Sequence, residues 1–196
     1  MNGIVNYYFI SDNSWFLKGL RKSEADFIQL PLMRDAQFLY IHTDSFFREF
    51  NPSPGDVIVL NITNANVFSH IMSHFALVYC RLIIMLPPQL TEKSGGKCLF
   101  PVFITDSINI HGLISYMIKA ASAPVAFKKA SVKEINLFKY VGHGYSVAEL
   151  SCLMNIHEKS VYQIRRERLM KYGFRTQHPL AFLMSRDIMN VSRVST

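Results

Sequence analysis

The sequence predicts an α/β three-layer domain followed by an all-α domain of four helices, and three observations carry that expectation. Short apolar runs alternate with amphipathic stretches as far as residue 120, the pattern from residue 131 onward is helical only, and the charge changes between the two. Residues 1–127 hold nine Lys/Arg and nine Asp/Glu, whereas residues 128–196 hold twelve and five, so the whole formal +7 of the chain lies beyond residue 127. A basic part joined to a neutral part points to a polyanion-binding half and a half with another task. The expected division is a domain over 1–122, a linker over 123–130 and a second domain over 131–196. Hydrophobic residues make up 49% of the chain, which supplies both halves with core material and excludes a disordered tail.

In the first half the spacing predicts strands at 5–10, 38–41, 57–60, 82–86 and 102–104, and helices at 15–22, 45–50, 67–77 and 108–120. Continuous apolar strands separated by helices form a parallel sheet covered on both faces. Pro124 then ends the last helix and opens a short linker.

Beyond the linker, Ser131 with Glu134 three residues later is a capping box, and Ile135, Phe138 and Val141 put one face of the first helix inward. Gly142 to Tyr145 break that helix. Ser146 with Glu149 caps the next one, whose apolar stripe is Val147, Leu150, Leu153 and Met154. Residues 155–158 form a tight turn, and a third helix starting near Lys159 carries Arg165, Arg166, Arg168 and Lys171. Two helices joined by a turn of this length, the second more basic, make a helix-turn-helix.

Other patterns are set aside on chemical grounds. Cys80, Cys98 and Cys152 are odd in number and far apart, so they read as reduced thiols instead of a disulfide framework or metal site. His70 and His74 share a helix face, but no Glu follows His70 and no third ligand is evident, so they read as helix-surface histidines and no metal is expected. Residues 94–97, Ser-Gly-Gly-Lys, lack the spacing of a phosphate loop and read as a flexible turn. No paired carboxylates or nucleophile elbow support an enzyme, and no cofactor is expected. The greasy stretch 75–88 is broken by Arg81 and too short to span a bilayer, and no signal-peptide pattern opens the chain, so a cytoplasmic protein is expected.

The residues following the first strand, Ser11-Asp12-Asn13-Ser14-Trp15-Phe16-Leu17-Lys18-Gly19-Leu20, resemble the start of a response-regulator receiver domain. A receiver holds Mg²⁺ with an acidic pair, takes phosphate on an Asp ending strand three, and uses a hydroxyl ending strand four and a Lys ending strand five. By that resemblance, Ser11 replaces one acid and leaves Asp12 alone, Asn61 stands at the phospho-acceptor position, Leu86 at the hydroxyl and Thr105 at the Lys. An amide oxygen is too weak a nucleophile to take a phosphoryl group, and one carboxylate holds Mg²⁺ poorly. The expectation is a degenerate receiver whose remaining task is protein contact. Trp15, Phe16, Phe46, Phe47 and Phe50 either furnish that interface or fill the core.

The second half resembles, without a gap, the DNA-binding domain of the LuxR/NarL (GerE-like) family. The family's pattern falls on Ser131, Glu134, Gly144-Tyr145-Ser146, Glu149-Leu150, Ile156 and Ser160-Val161, with Tyr172-Gly173 near the end of the recognition helix and a fourth helix over 179–190 that in the family helps the domain dimerise. The layout is similar to auxiliary enterobacterial regulators that pair with a response regulator of the RcsB type. The resemblance implies that Tyr162, Gln163 and Arg166 face base edges and that Lys159, Ser160, Arg165, Arg168 and Lys171 face phosphates, although Arg168 could instead pair with Glu167 or Glu158. It implies a sequence-specific regulator binding double-stranded DNA as a homodimer or as a heterodimer with a response regulator. The alternative is an interaction module that modulates a partner and binds DNA only weakly alone.

Overall fold

The computed structural model describes residues 5–23, 36–43, 45–91, 99–175 and 178–194. Five strands, β1 (Tyr7–Ser11), β2 (Gln37–Tyr40), β3 (Val57–Asn61), β4 (Arg81–Leu86) and β5 (Val102–Thr105), form one parallel sheet in the order β2-β1-β3-β4-β5. The register lines up their carboxyl ends, with Ser11 opposite both Tyr40 and Asn61, and Leu86 opposite Thr105. Successive residues of a strand point to opposite faces, yet Val57, Ile58, Val59 and Leu60 are all fully buried, so both faces are covered. The expected α/β layers are present.

The helices α1 (Ser14–Lys22), α2 (Phe46–Glu49), α3 (Ala65–Met72) and α4 (Ile110–Ser122) connect or follow these strands. Three of them start on an asparagine. Asn13 accepts from the amides of Trp15 and Phe16, Asn64 from those of Asn66 and Val67, and Asn109 from that of Gly112. Each cap satisfies amides that a helix start leaves without partners. The single helix expected over 67–77 is broken. α3 stops at Met72, Ser73 donates its hydroxyl to the His70 carbonyl at 2.6 Å, His74 is extended, and a 3-10 turn follows at Phe75–Tyr79. A serine hydroxyl competing for a helix carbonyl is a local stop that apolar periodicity does not register. Residues 94–97 and Cys98 lie outside the described residues.

The chain then forms four helices: α5 (Val132–Gly142), α6 (Val147–Met154), α7 (Glu158–Lys171) and α8 (Pro179–Val194). Both capping boxes form as expected, Ser131 with Glu134 and Ser146 with Glu149. In α6 only Leu150 is fully buried, and Leu153, expected in its inward stripe, is exposed.

The helical part and the sheet share one continuous apolar core. The segment between α4 and α5 runs alongside Phe100, whose amide donates to the Ala126 carbonyl at 2.7 Å, and Phe127 is buried there. After α7 the chain turns at Gly173, with φ +86°, and Phe174 pairs antiparallel with Thr91. A Cβ on Gly173 would sit 2.9 Å from the Phe103 ring of β5, so the turn needs glycine for both conformation and approach. Phe174 itself is fully buried, its ring 5.0 Å from that of Phe103. α8 packs on α5 and on α3, where Arg186 Nη2 donates to Ser69 Oγ at 3.0 Å.

Truncating Phe174 would open a cavity where the helical part meets β5. Phe174→Ala is expected to lower the free energy of unfolding by about 3–5 kcal/mol. A urea titration followed by far-ultraviolet circular dichroism measures it, and a loss under about 1 kcal/mol would mean that this contact does not hold the two parts together.

Candidate nucleic-acid interface

The segment from α6 to α7 is built by local chemistry. α6 ends on Asn155 in the left-handed conformation, φ 51°, which asparagine tolerates better than most residues. Ser151 Oγ donates to the Ile156 carbonyl at 2.6 Å and closes the turn, and the Lys159 amide donates to His157 Nδ1 at 3.2 Å, so a histidine caps α7. Val161 and Leu169 are buried and Ile164 is half-buried, which fixes the inward side of α7.

The opposite side holds the three residues expected at base edges. Tyr162 is 51% exposed, and Gln163 and Arg166 are exposed as well. Gln163 Nε2 donates to Glu167 Oε1 at 2.8 Å, one helical turn on, which orients the amide along the helix. The Tyr162–Gln163–Arg166 set is therefore brought together on one solvent-facing side.

The five residues expected at phosphates are placed differently from one another. Lys159 is exposed and Ser160 half-buried. The Arg165 guanidinium lies 4.4 Å from the centre of the Phe182 ring of α8, its Nε is buried without a hydrogen-bond partner, and burial lowers its pKa. Arg168 Nε and Lys171 Nζ both lie 3.0 Å from Glu134 Oε1, and Lys171 also donates to the Lys129 carbonyl at 2.7 Å. Arg168 thus meets neither Glu167 nor Glu158. It meets the capping glutamate of α5.

Glu134 is the charged residue that organises this cluster. Its side chain is 5% exposed. Burial pushes its carboxyl up, but hydrogen bonds from the Ser131 amide and hydroxyl and the Lys171 ammonium outweigh that and hold it below its ordinary value. Lys128 is lowered by burial and by the nearby Lys171 charge.

At the carboxyl edge of the sheet, Ser11 Oγ donates to the Asn61 carbonyl at 2.7 Å and accepts from the Asn13 amide at 2.9 Å. Asp12 Oδ2 accepts from the Thr63 amide at 2.9 Å, its hydroxyl at 3.0 Å and the Asn64 amide at 2.9 Å, so the carboxylate tethers the turn that starts α3. Asp12 Oδ1 is buried with no hydrogen-bond partner. Leu86 and Thr105 end β4 and β5 side by side.

The remaining candidates are absorbed by packing. His70 lies edge-on to Phe47 at 4.7 Å, while His74 sits between Phe50 and Phe75 and burial lowers its pKa. Cys80 is buried, and burial and Asp56 push its thiol up to about 12. Among the described residues no group of three His, Cys, Asp or Glu could hold a metal ion, and no helix is long and apolar enough to cross a membrane. Of the aromatic set, Phe46 and Phe50 are core, Phe16 is half-buried, and Trp15 and Phe47 are exposed.

No family model matches the chain, and no curated protein matches it. Among solved structures, it is similar to one of two RcsB dimers bound to two parallel DNAs, at 13% identity and a TM-score of 0.46, covering 94% of this chain and 99% of that one. It is similar to RcsB from Salmonella enterica serovar Typhimurium bound to promoter P1flhDC in the presence of phosphomimetic BeF3-, at 14% identity and 0.46, covering 93% and 99%. It is also similar to the response regulator ChrA of a heme-sensing two component system, at 12% identity and 0.36, covering 97% and 100%.

Because the Glu134 carboxyl titrates below its unfolded value, its contribution to stability is complete above about pH 4.3 and disappears as the pH falls through the folded value. Its two partners are about a third exposed, and solvent screening keeps the loss below that of a fully buried pair. Glu134→Gln is expected to destabilise the protein by about 2 kcal/mol at neutral pH. Urea midpoints of the two proteins should converge as the pH falls through the folded value of Glu134, and a gap independent of pH would remove the ionic contribution.

Proposed function

We propose that the chain is a sequence-specific, DNA-binding transcription regulator that acts as a dimer. In this reading residues 131–196 form the DNA-binding domain, 1–122 a receiver-like domain and 123–130 the linker between them. The observation that carries it is the solvent-facing row of Tyr162, Gln163 and Arg166 with Lys159, on a helix whose other side is buried behind a capped helix and a tight turn. Gln163 suits adenine bidentately, Arg166 suits guanine, and Tyr162 suits phosphate or a thymine methyl. Lys159, Ser160, Arg165, Arg168 and Lys171 flank the groove and supply phosphate contacts, the last three while also holding the fold. Two recognition helices in successive major grooves would place half-sites about one helical turn apart.

The receiver-like domain works without phosphorylation. Asn61 offers an amide at the acceptor position, and the Asp12 carboxylate at the same edge of the sheet is engaged with Thr63 and Asn64. Control then falls to abundance, or to a partner that Trp15 and Phe47 are exposed to meet.

One observation favours the second reading, in which the chain modulates a partner response regulator and binds DNA weakly alone. Arg165, Arg168 and Lys171 have inward contacts, so fewer cations stand free for phosphates than the charge of the segment suggests. Selection from a random DNA pool separates the two: a motif of two half-sites supports an autonomous reader, and enrichment only after a response regulator is added supports the modulator. On the selected site, Gln163→Ala and Arg166→Ala should each cost about 1–3 kcal/mol and relax one base position, by anisotropy titration. Lys159→Ala should weaken all sequences alike and reduce the salt slope by about one. Incubation with acetyl phosphate and Mg²⁺ should leave the intact mass unchanged, and a phosphorylated species would overturn the degenerate-receiver reading.

A further inference from the structure

A cavity of about 740 Å³ opens where the carboxyl end of β5 meets the chain that leaves α7. That volume is in the range of small-molecule sites. Its walls are apolar where Phe103, Ile104, Ile108 and Pro88 line it, and the Tyr116 ring of α4 adds an aromatic side. Its other polar side chains are few: the hydroxyls of Thr91, Thr105 and Ser107, and Arg175. Among the described residues no carboxylate lines it, and Asp106, between two lining residues, is engaged by Ser107 Oγ. Arg175 is exposed and makes no ion pair among the described residues, so it stands at the cavity wall as a cation without an ionic partner there. Ser107 Oγ donates to Asp106 Oδ1 at 3.3 Å, and Thr105 Oγ1, 3.2 Å from Ser107 Oγ, is the hydroxyl whose proton can turn toward an incoming acceptor.

We propose that this cavity is a ligand site for a small aromatic monocarboxylate. The ring packs among Phe103, Ile108 and Tyr116, and the carboxylate pairs with the Arg175 guanidinium and accepts from the Thr105 hydroxyl. A neutral amide of the same shape loses the ionic partner. The site stands on the sheet and on the residues that follow α7, and is independent of whether α7 reads DNA.

Its position gives the ligand a structural consequence. The Arg175 amide donates to the Leu90 carbonyl at 2.9 Å, and Thr91 Oγ1 donates to the Gly173 carbonyl at 3.3 Å. A ligand held by Arg175 therefore bears on the hydrogen bonds that fasten the end of α7 to the exit of β4. Occupancy shifts the balance between attached and detached forms only in proportion to its preference for one of them.

The test uses 1-naphthylacetate and its neutral analogue 1-naphthylacetamide on the full chain, by isothermal titration calorimetry and by methyl chemical shifts of Ile104 and Ile108. Saturable binding at or below about 1 mM is expected for the carboxylate, with at least about a tenfold loss for the amide and for Arg175→Gln. Arg175 is exposed, so the thermal unfolding of that variant should match the parent and exclude misfolding as the cause. Tyr116→Ala should weaken the carboxylate while leaving its preference over the amide. No saturable binding by about 5 mM, or binding equal for acid and amide, or equal in Arg175→Gln, would overturn the proposal.

Discussion

A helix buried around most of its circumference needs more than one partner, and α8 is such a helix, with only the side of Pro179, Leu183, Arg186 and Asn190 less covered. Ala181, Phe182, Met184, Ile188, Met189 and Val191 are all buried, as are the polar Ser185 and Asp187. α5 covers one part of that surface, and α3 with the 3-10 turn after it covers another. Neither the helical part nor the sheet completes its core alone, because the apolar area of α8 would otherwise face water. The Gly173 turn and the Phe174 ring add a second attachment at β5, so the orientation of α7 against the sheet is set at two places.

Within that frame the positive charge of the chain is divided between inward and outward tasks. Arg168 and Lys171 converge on one buried glutamate, and Arg165 rests on an aromatic ring. The guanidinium group suits both roles, since its planar face stacks while its edges bond. Lys159 and Arg166 are left facing solvent. The field felt by a polyanion is thus smaller and more sharply located than the formal charge implies.

Much of the fold was legible because local rules and global packing agree. Buried strands read as continuous apolar runs, and both capping boxes, Ser131/Glu134 and Ser146/Glu149, formed where the pattern of hydroxyl and carboxylate placed them. What local patterns could not convey was tertiary. The partner of Arg168 is 34 positions away in sequence, on the first helical turn of another element, whereas the helix neighbours Glu167 and Glu158 are the acids that sequence spacing offers. The break after Met72 involves one serine hydroxyl, and Leu153 is exposed because the inward side of α6 follows Val147, Leu150, Ser151 and Met154 and leaves it beside that stripe. Nor did any periodicity mark Phe174 or Arg175, whose roles arise from a turn that brings them onto β5 and β4. The row of Tyr162, Gln163 and Arg166 was the easier case, because helical spacing alone puts such residues on one side once Val161 and Leu169 are buried.

The Asp12 tether has a bearing on how this chain can change over time. A carboxylate whose one oxygen takes three hydrogen bonds is held by structure, and moving it would release the turn that starts α3. Replacing Asn61 by an acid would add a second negative charge near this edge without freeing the first. The turn and the carboxylate therefore vary together: a substitution at Asp12 alone would loosen the start of α3 before it changed anything else at the edge of the sheet.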